Sequence, residues 1–238
     1  WAAACCRQAA ERFCSGYGLM TALLAAGELA SLRELMANSL MGAALVDDSV
    51  REGVASFWKA WGWKTDDGHC HSTLDTWLMM VRGVAALVEE DTEASRAQLR
   101  EWLPPPAELL RITEYECSWR VQSYGANHAA LLCARLHGER LGAWSVAVEV
   151  AEGVLAIEPF NPLVRTEALR LLGASHAAEG RLGAACEAGE RAAREAAGAR
   201  YVWLELMSLR DVLRWCDAGA AAGVRSRLGA VSSRVSAS

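Results

Sequence analysis

The sequence predicts an all-α protein built from stacked antiparallel helical hairpins. The tetrad Arg140-Leu141-Gly142-Ala143 returns 41 residues later as Arg181-Leu182-Gly183-Ala184, within a similar helical pattern. A period in this range is typical of hairpin repeats, in which each unit buries its apolar face only against its neighbours. The composition agrees, because the 238-residue chain is 53% hydrophobic with much alanine and has only 5 prolines. Alanine is the best helix former, and its small side chain lets helices approach closely.

Residues 1–103 are predicted to form an N-terminal helical region. Its helices are expected over 2–15, over 19–44 with a break near Gly27 or Ser31, from Asp47 or Asp48 to about Trp61, from Ser72 through Val88, and from Thr92 to about Leu103. Ser, Thr and Asp favour these starts because their side-chain oxygens accept hydrogen bonds from the open N–H groups of a first turn. The run Pro104–Pro106 ends the region, since proline cannot continue a helix and restricts the residue before it.

Residues 104–238 are predicted to form hairpin repeats that continue from the first region. Their helices are expected over 107–121, 127–138, 143–157, 163–178, 182–197, 200–216 and 220–234. Glycines mark the tight turns, with Gly138 and Gly142 in the first hairpin and Gly180 in the next. Pro159 lies in the connector that stops one hairpin and starts the following one.

The segment 127–216 resembles tetratricopeptide repeats. The resemblance is carried by Trp144, Pro159, Leu172-Gly173, Gly180, Ala185 and Ala192. It implies a TPR-like α-solenoid, a right-handed superhelix with a concave surface that binds a peptide or a helix. The stretch 154–197 is also similar to the helical-repeat domain of bacterial transcriptional activators, through Leu155, Pro159, Glu167, Leu171, Leu172 and Gly180.

Charge and motifs argue against several classes of function. The net charge is −5 without a basic block, so direct nucleic-acid binding is not expected. Neither a P-loop, a GxGxxG motif nor a nucleophile elbow occurs, and we expect a non-enzymatic protein without a cofactor, a bound metal or a small-molecule ligand. No apolar stretch is long enough to span a membrane. The 8 dispersed cysteines suit reduced thiols in the cytoplasm.

A scaffold that binds a protein or peptide partner is therefore the predicted function. The first helices of the hairpins should line the binding surface. The residues expected there are Asn127, Leu131, Arg135, Arg165, Leu169 and His176. The alternative is a regulatory repeat region of a larger transcriptional activator or signalling protein whose effector domain lies outside this chain. The Trp, rather than Met, at position 1 is expected of a fragment, a processed form or a partial gene model.

Two cysteine-containing clusters have an ordinary interpretation and a chemical one. The run His69-Cys70-His71 beside Asp66 and Asp67 has the ligand types of a Zn or Cu site. Adjacent ligands rarely close a tetrahedral site, so an exposed polar loop is the favoured interpretation. A group formed by Cys5, Cys6 and Cys14 could be redox-active, but buried cysteines more often act as small hydrophobes.

Two groups of aromatic residues also allow two interpretations. We expect Phe57, Trp58, Trp61 and Trp63 to fill the junction between the N-terminal helices and the repeats, with an exposed partner anchor as the alternative. The second group is expected to be buried in the core or between repeats, and consists of Tyr201, Trp203, Leu204, Met207 and Trp215.

Overall fold

The computed structural model describes residues 19–20, 23–24, 28–39, 43, 47, 49, 52, 73–111, 124–157, 161–216 and 221–236. Within these ranges all regular secondary structure is helical and no strand occurs, so the all-α prediction is confirmed for them. The longer helices are α1 (Leu29–Asn38), α2 (Thr73–Val88), α3 (Glu93–Trp102), α4 (Tyr124–Leu141), α5 (Trp144–Ala156), α6 (Pro162–Ala178), α7 (Leu182–Gly198), α8 (Val202–Trp215) and α9 (Ala221–Ser236).

Most predicted helices agree with these bounds to within a few residues. The helix predicted from 107 begins one residue earlier and is seen over 106–111, with Pro106 in its first turn as its missing N–H allows. The break expected near Gly27 or Ser31 is seen at Glu28, which is not helical and directly precedes α1, whereas Ser31 itself lies inside α1. Gly27, the helix over 2–15 and the connector Pro159 lie outside the described residues.

The chain divides into two compact units, the first of which ends at Trp102. In this unit α1 packs on α2, and the guanidinium of Arg33 donates two hydrogen bonds to the backbone carbonyl of Val88, at 2.9 and 2.7 Å. Val88 ends α2, so a cation satisfies a carbonyl that has no partner within the helix. Thr92 and Ser95 cap α3 reciprocally, each side-chain oxygen accepting from the other's backbone N–H.

The second unit begins at Leu103, and in it each helix from α4 to α9 packs on the next one along the chain. In addition α4 contacts α6, and α6 contacts α8. The helix α6 therefore contacts both the helix two positions before it and the helix two positions after it. Alanine supplies much of the close packing: α7 buries Ala185, Ala188, Ala192, Ala193 and Ala196.

The tight turns recur at a different spacing along the chain from the 41 residues that separate the two copies of the tetrad. Gly142 and Gly180 have φ values of +71° and +77°, and they close the α4–α5 and α6–α7 turns. These two residues are 38 positions apart, whereas Gly183, the glycine of the second tetrad, lies inside α7. The two copies of the tetrad are therefore not structurally equivalent. Gly138 is likewise not a turn residue, because it lies within α4.

The turn between α7 and α8 has the same geometry without a glycine. Arg200 has a φ of +62°. The following N–H, that of Tyr201, bonds to the carbonyl of Ala196 at 2.8 Å, as the N–H of Arg181 bonds to the carbonyl of His176 at 2.8 Å. Hydrogen bonds of this kind satisfy the open carbonyls of a helix end.

The indole ring of Trp215 lies where α6, α7 and α8 meet, and we call this contact with Gly173 and Gly189 the Trp215 seat. A Cβ added at Gly173 would come within 2.6 Å of the ring. A Cβ added at Gly189 would lie 3.0 Å from the same ring and 2.5 Å from a methyl group of Val212. Both glycines are thus required by close approach, and their φ values are not in the left-handed region.

Substitution Gly189→Ala should destabilise the protein by about 1–3 kcal/mol, because the new methyl group overpacks the contact with Val212 and Trp215. Gly183→Ala in the same helix is the matched control, since a Cβ there meets nothing within 4 Å. The control should be neutral or stabilising by up to about 1 kcal/mol through helix propensity. Urea unfolding of both variants measures the difference, and equal stabilities would contradict the packing described for α7.

Candidate partner-binding face

Three of the six residues predicted to line a binding surface are in the core. The side chains of Asn127 and Leu131 on α4 and of Leu169 on α6 are 1%, 5% and 1% exposed. The prediction that these three residues lie at the surface is therefore wrong. The physical reason is that α4 packs on both α5 and α6, which covers the face that the sequence pattern left open.

The other three predicted residues are partly exposed. Arg135 forms an ion pair with Glu139 one turn along α4, at 2.7 Å. Arg165 pairs with Glu195 of α7 at 3.0 Å. The face of α6 that carries Arg165 therefore lies towards α7 rather than towards open solvent.

His176 shares this side of α6. Burial lowers its pKa, and nearby Arg181 lowers it further, against the opposing effects of Glu179 and Glu152. Its buried Nδ1 has no hydrogen-bond partner among the described residues. A neutral, half-buried imidazole in this position contributes to helix packing more than to the recognition of a charged ligand.

A group of charged residues links α6 to α8. The guanidinium of Arg170 donates to the Asp211 carboxylate at 2.9 Å and contacts Glu167 at 3.4 Å. Asp211 also accepts from Arg214 at 3.5 Å. Burial opposes the charge of Arg170, but Glu167 and Asp211 outweigh it and raise the pKa of the guanidinium. The side chains of Arg170 and Asp211 are 16% and 12% exposed, so this ion pair is mostly shielded from water.

The exposed side of α8 carries a row of four residues, which we call the α8 stripe: Trp203, Met207, Arg210 and Arg214. Their spacing of three or four residues places them along one face of the helix. Trp203 is 50% exposed, and the side chain of Arg214 is 73% exposed. The guanidinium of Arg210 lies 3.9 Å from the sulfur of Met207. The stripe therefore presents an indole and two cations to solvent, with the half-buried thioether of Met207 between them.

The burial predicted for this part of the sequence was wrong for two residues, and it was right for Leu204 and for Trp215, which packs between helices, while Met207 is half-buried. Tyr201 and Trp203 are 41% and 50% exposed, whereas Leu204 is buried. The exposed Trp203 could have been distinguished from the buried Leu204 by the positions of Arg210 and Arg214. These arginines follow Trp203 by seven and eleven residues, which places them on the same helix face as Trp203.

A shallow cleft of about 460 Å³ lies at the start of α6 and the end of α7. Its lining includes Pro162, Arg191, Arg194 and Glu195. Glu195 is already paired with Arg165, and Arg194 lies 3.9 Å from Glu190. Glu195 and Arg194 of this cleft are thus already in contact with charged residues of the protein itself.

The run His69-Cys70-His71, the group Cys5, Cys6 and Cys14, and the aromatic group from Phe57 to Trp63 lie outside the described residues. In the part of the chain that is described, no group of three or more His, Cys, Asp or Glu is arranged to hold a metal. No helix of that part is long and apolar enough to cross a membrane.

The comparisons with known proteins identify no relative. No protein-family model matches the chain, and neither the curated proteins nor the solved structures contain a match.

Asp211→Asn should lower the free energy of unfolding by about 2–3 kcal/mol, because it removes one of the two carboxylates that counter the shielded guanidinium of Arg170 and leaves only Glu167. Glu139→Gln is the matched control, since it breaks an exposed pair within one helix and should cost at most about 0.5 kcal/mol. Urea unfolding at pH 7.5 compares the two variants. Equal losses would show that the α6–α8 ion pair is no more shielded than a surface pair.

Acidification should destabilise the protein through His128. Burial lowers the pKa of this histidine, against the opposing charge of Glu167. As the pH falls below about 6.5, the unfolded chain takes up the proton first, so stability present above that pH is lost below it. Between pH 7.5 and 5.5 this amounts to at most about 1.4 kcal/mol. Unfolding at both pH values should show a smaller loss for His128→Gln than for the wild type, and an identical loss would exclude this histidine as the cause.

Proposed function

We propose that this chain is a non-enzymatic helical-repeat scaffold that binds a protein partner through an acidic peptide segment on the α8 stripe. The observation that carries the proposal is the exposed row of Trp203, Met207, Arg210 and Arg214. Tryptophan and arginine are the residues most enriched among those that dominate binding energies.

The architecture in this proposal is a TPR-like α-solenoid over the second unit. It is supported by the spacing of equivalent helix starts: α5 begins at Trp144, α7 at Leu182 and α9 at Ala221, which gives steps of 38 and 39 residues. The contacts of α4 with α6 and of α6 with α8 also support it, because stacked hairpins place their first helices side by side. A right-handed superhelix is the expected form of such a stack.

The acidic character of the proposed partner segment follows from the charged residues on and near the stripe. Asp211, the nearest acidic residue of α8, is engaged by Arg170 and Arg214. The stripe itself contributes two guanidinium groups and no carboxylate. Guanidinium groups bind carboxylates by paired hydrogen bonds, and the adjacent indole offers a surface for an apolar anchor. An acidic segment with one large apolar residue fits both features.

Arg135 and Arg165 are the cations that the sequence pattern placed on the predicted binding surface of the first helices, and they serve as the comparison. Both are engaged by glutamates of the protein itself, and their side chains are 40% and 29% exposed. Arg214 contacts Asp211 only at 3.5 Å and its side chain is 73% exposed, and Arg210 is exposed, so both should contribute more to binding. The cytoplasmic location and the absence of a cofactor are further parts of the proposal, and they rest on the sequence alone.

A random peptide library displayed on phage and selected on the full chain tests this proposal. Selected peptides should be enriched in Asp and Glu and should carry at least one large apolar residue. Fluorescence polarisation with the best peptide should show a loss of affinity of about tenfold or more for Trp203→Ala and for the pair Arg210→Glu and Arg214→Glu.

The matched control is the pair Arg135→Glu and Arg165→Glu, which should change the affinity by no more than about twofold, since these side chains lie off the stripe. Circular dichroism and urea unfolding should confirm that every variant stays folded. A library that yields no acidic sequence, or binding that survives the changes in the stripe, would reject the α8 stripe as the docking face.

A further inference from the structure

Two cysteines from different helices meet beside the Trp215 seat. Cys186 lies near the start of α7, and Cys216 follows the last residue of α8. Their sulfur atoms are 2.6 Å apart, although the residues are 30 positions apart in the chain. Both side chains are thiols in the structure and both are partly exposed.

The short distance between the two sulfur atoms depends on the positions of the backbone segments that carry the cysteines. Trp215, the neighbour of Cys216, packs against Gly189, which lies three residues after Cys186 on α7. The backbone N–H of Cys216 bonds to the carbonyl of Val212 at 2.8 Å, which holds the end of α8 in helical geometry. The packing of one indole ring thus fixes the positions from which both sulfurs project.

We propose that Cys186 and Cys216 form a reversible disulfide. Their separation exceeds the ~2.05 Å of a sulfur–sulfur bond by only about 0.6 Å. A small rotation of one or both side chains is enough to bring the sulfurs to bonding distance. Partial exposure leaves the pair accessible to a small oxidant.

A small disulfide such as oxidised glutathione is the oxidant in this proposal. The thiolate of one cysteine attacks a glutathione sulfur, forms a mixed disulfide and releases one glutathione thiolate. The second cysteine, as a thiolate, then attacks the protein sulfur of the mixed disulfide and releases the second glutathione. Two protein thiols lose two protons and two electrons in total, and one glutathione disulfide becomes two glutathione thiols.

Cys133 provides an internal contrast. It is fully buried in α4, and burial raises the pKa of its thiol to about 12. Disulfide exchange needs a thiolate with access to the oxidant, so Cys133 should stay reduced under conditions that oxidise the exposed pair.

The bond would join the start of α7 to the end of α8 and close a loop of 30 residues. A cross-link of this kind stabilises a protein mainly by restricting its unfolded chain. The midpoint of thermal unfolding should therefore rise by several degrees, roughly 5–10 °C, when the pair is oxidised.

Peptide mapping after oxidation tests the proposal without any substitution. The full chain is equilibrated in glutathione buffers of increasing oxidised fraction, quenched in acid, alkylated under denaturing conditions and digested with trypsin. The expected product joins peptide 182–191 to peptide 215–225, each of which contains a single cysteine. Peptide 121–135, which contains Cys133, should be recovered alkylated.

Thermal unfolding of oxidised and reduced samples gives the second measurement. The rise in midpoint should disappear on reduction with dithiothreitol and should be absent from Cys186→Ser, whereas Cys133→Ser should retain it. Recovery of the two peptides as alkylated thiols, as separate glutathione adducts or joined to other cysteines would overturn the assignment. A cross-link that forms without a change in midpoint would overturn its stabilising role.

Discussion

The Trp215 seat is the contact on which the arrangement of the second unit depends. A large flat ring occupies the space that two missing Cβ atoms leave on α6 and α7, so three helices approach at one point. Interiors are packed densely enough that one added methyl group at such a point must displace its neighbours. Once the end of α8 is fixed there, the rotation of this helix about its axis is fixed as well. That rotation directs Leu206, Leu209 and Val212 into the core and leaves the α8 stripe in solvent.

A second, polar link joins the same helices. The pair formed by Arg170 and Asp211 connects α6 to α8 at a site where both side chains are mostly shielded from water. Ion pairs of this kind lose much of their attraction to desolvation, but they penalise any arrangement that separates the charges. Apolar packing by Trp215 therefore sets how closely the helices approach, while the ion pair favours one register between them. Both interactions lie in the part of the molecule that presents the proposed docking face.

Local sequence patterns predicted the helices well but predicted the relations between them poorly. Helix bounds follow from hydrophobic period, capping residues and proline positions, which act over a few residues, and the bounds of α6 and α7 agree with prediction to within one residue. The repeat register was misjudged because the tetrad ending in Ala184 begins a helix, whereas the tetrad ending in Ala143 spans a turn. Identity of four letters does not establish the same backbone conformation.

The candidate site shows the same limit. Trp203 was expected in the core because it belongs to a row of apolar residues in its helix, whereas its exposure depends on the rotation of α8, which is a tertiary property. Leu169 was expected at the surface because it lies on the first helix of a predicted hairpin, and the neighbours that cover it are not visible in its own helix pattern. The proximity of Cys186 and Cys216 likewise arises from packing between helices, so their spacing in the sequence gave no indication of it.

A double-mutant cycle between Gly173→Ala and Trp215→Leu tests the central claim most directly. A Cβ at position 173 would meet mainly the ring of Trp215, so the cost of the alanine should fall by about 1 kcal/mol or more once the ring is removed. Unfolding free energies of the wild type, both single variants and the double variant in urea give this coupling energy. Additive effects, with a coupling below about 0.3 kcal/mol, would contradict the seat and the rotation of α8 derived from it.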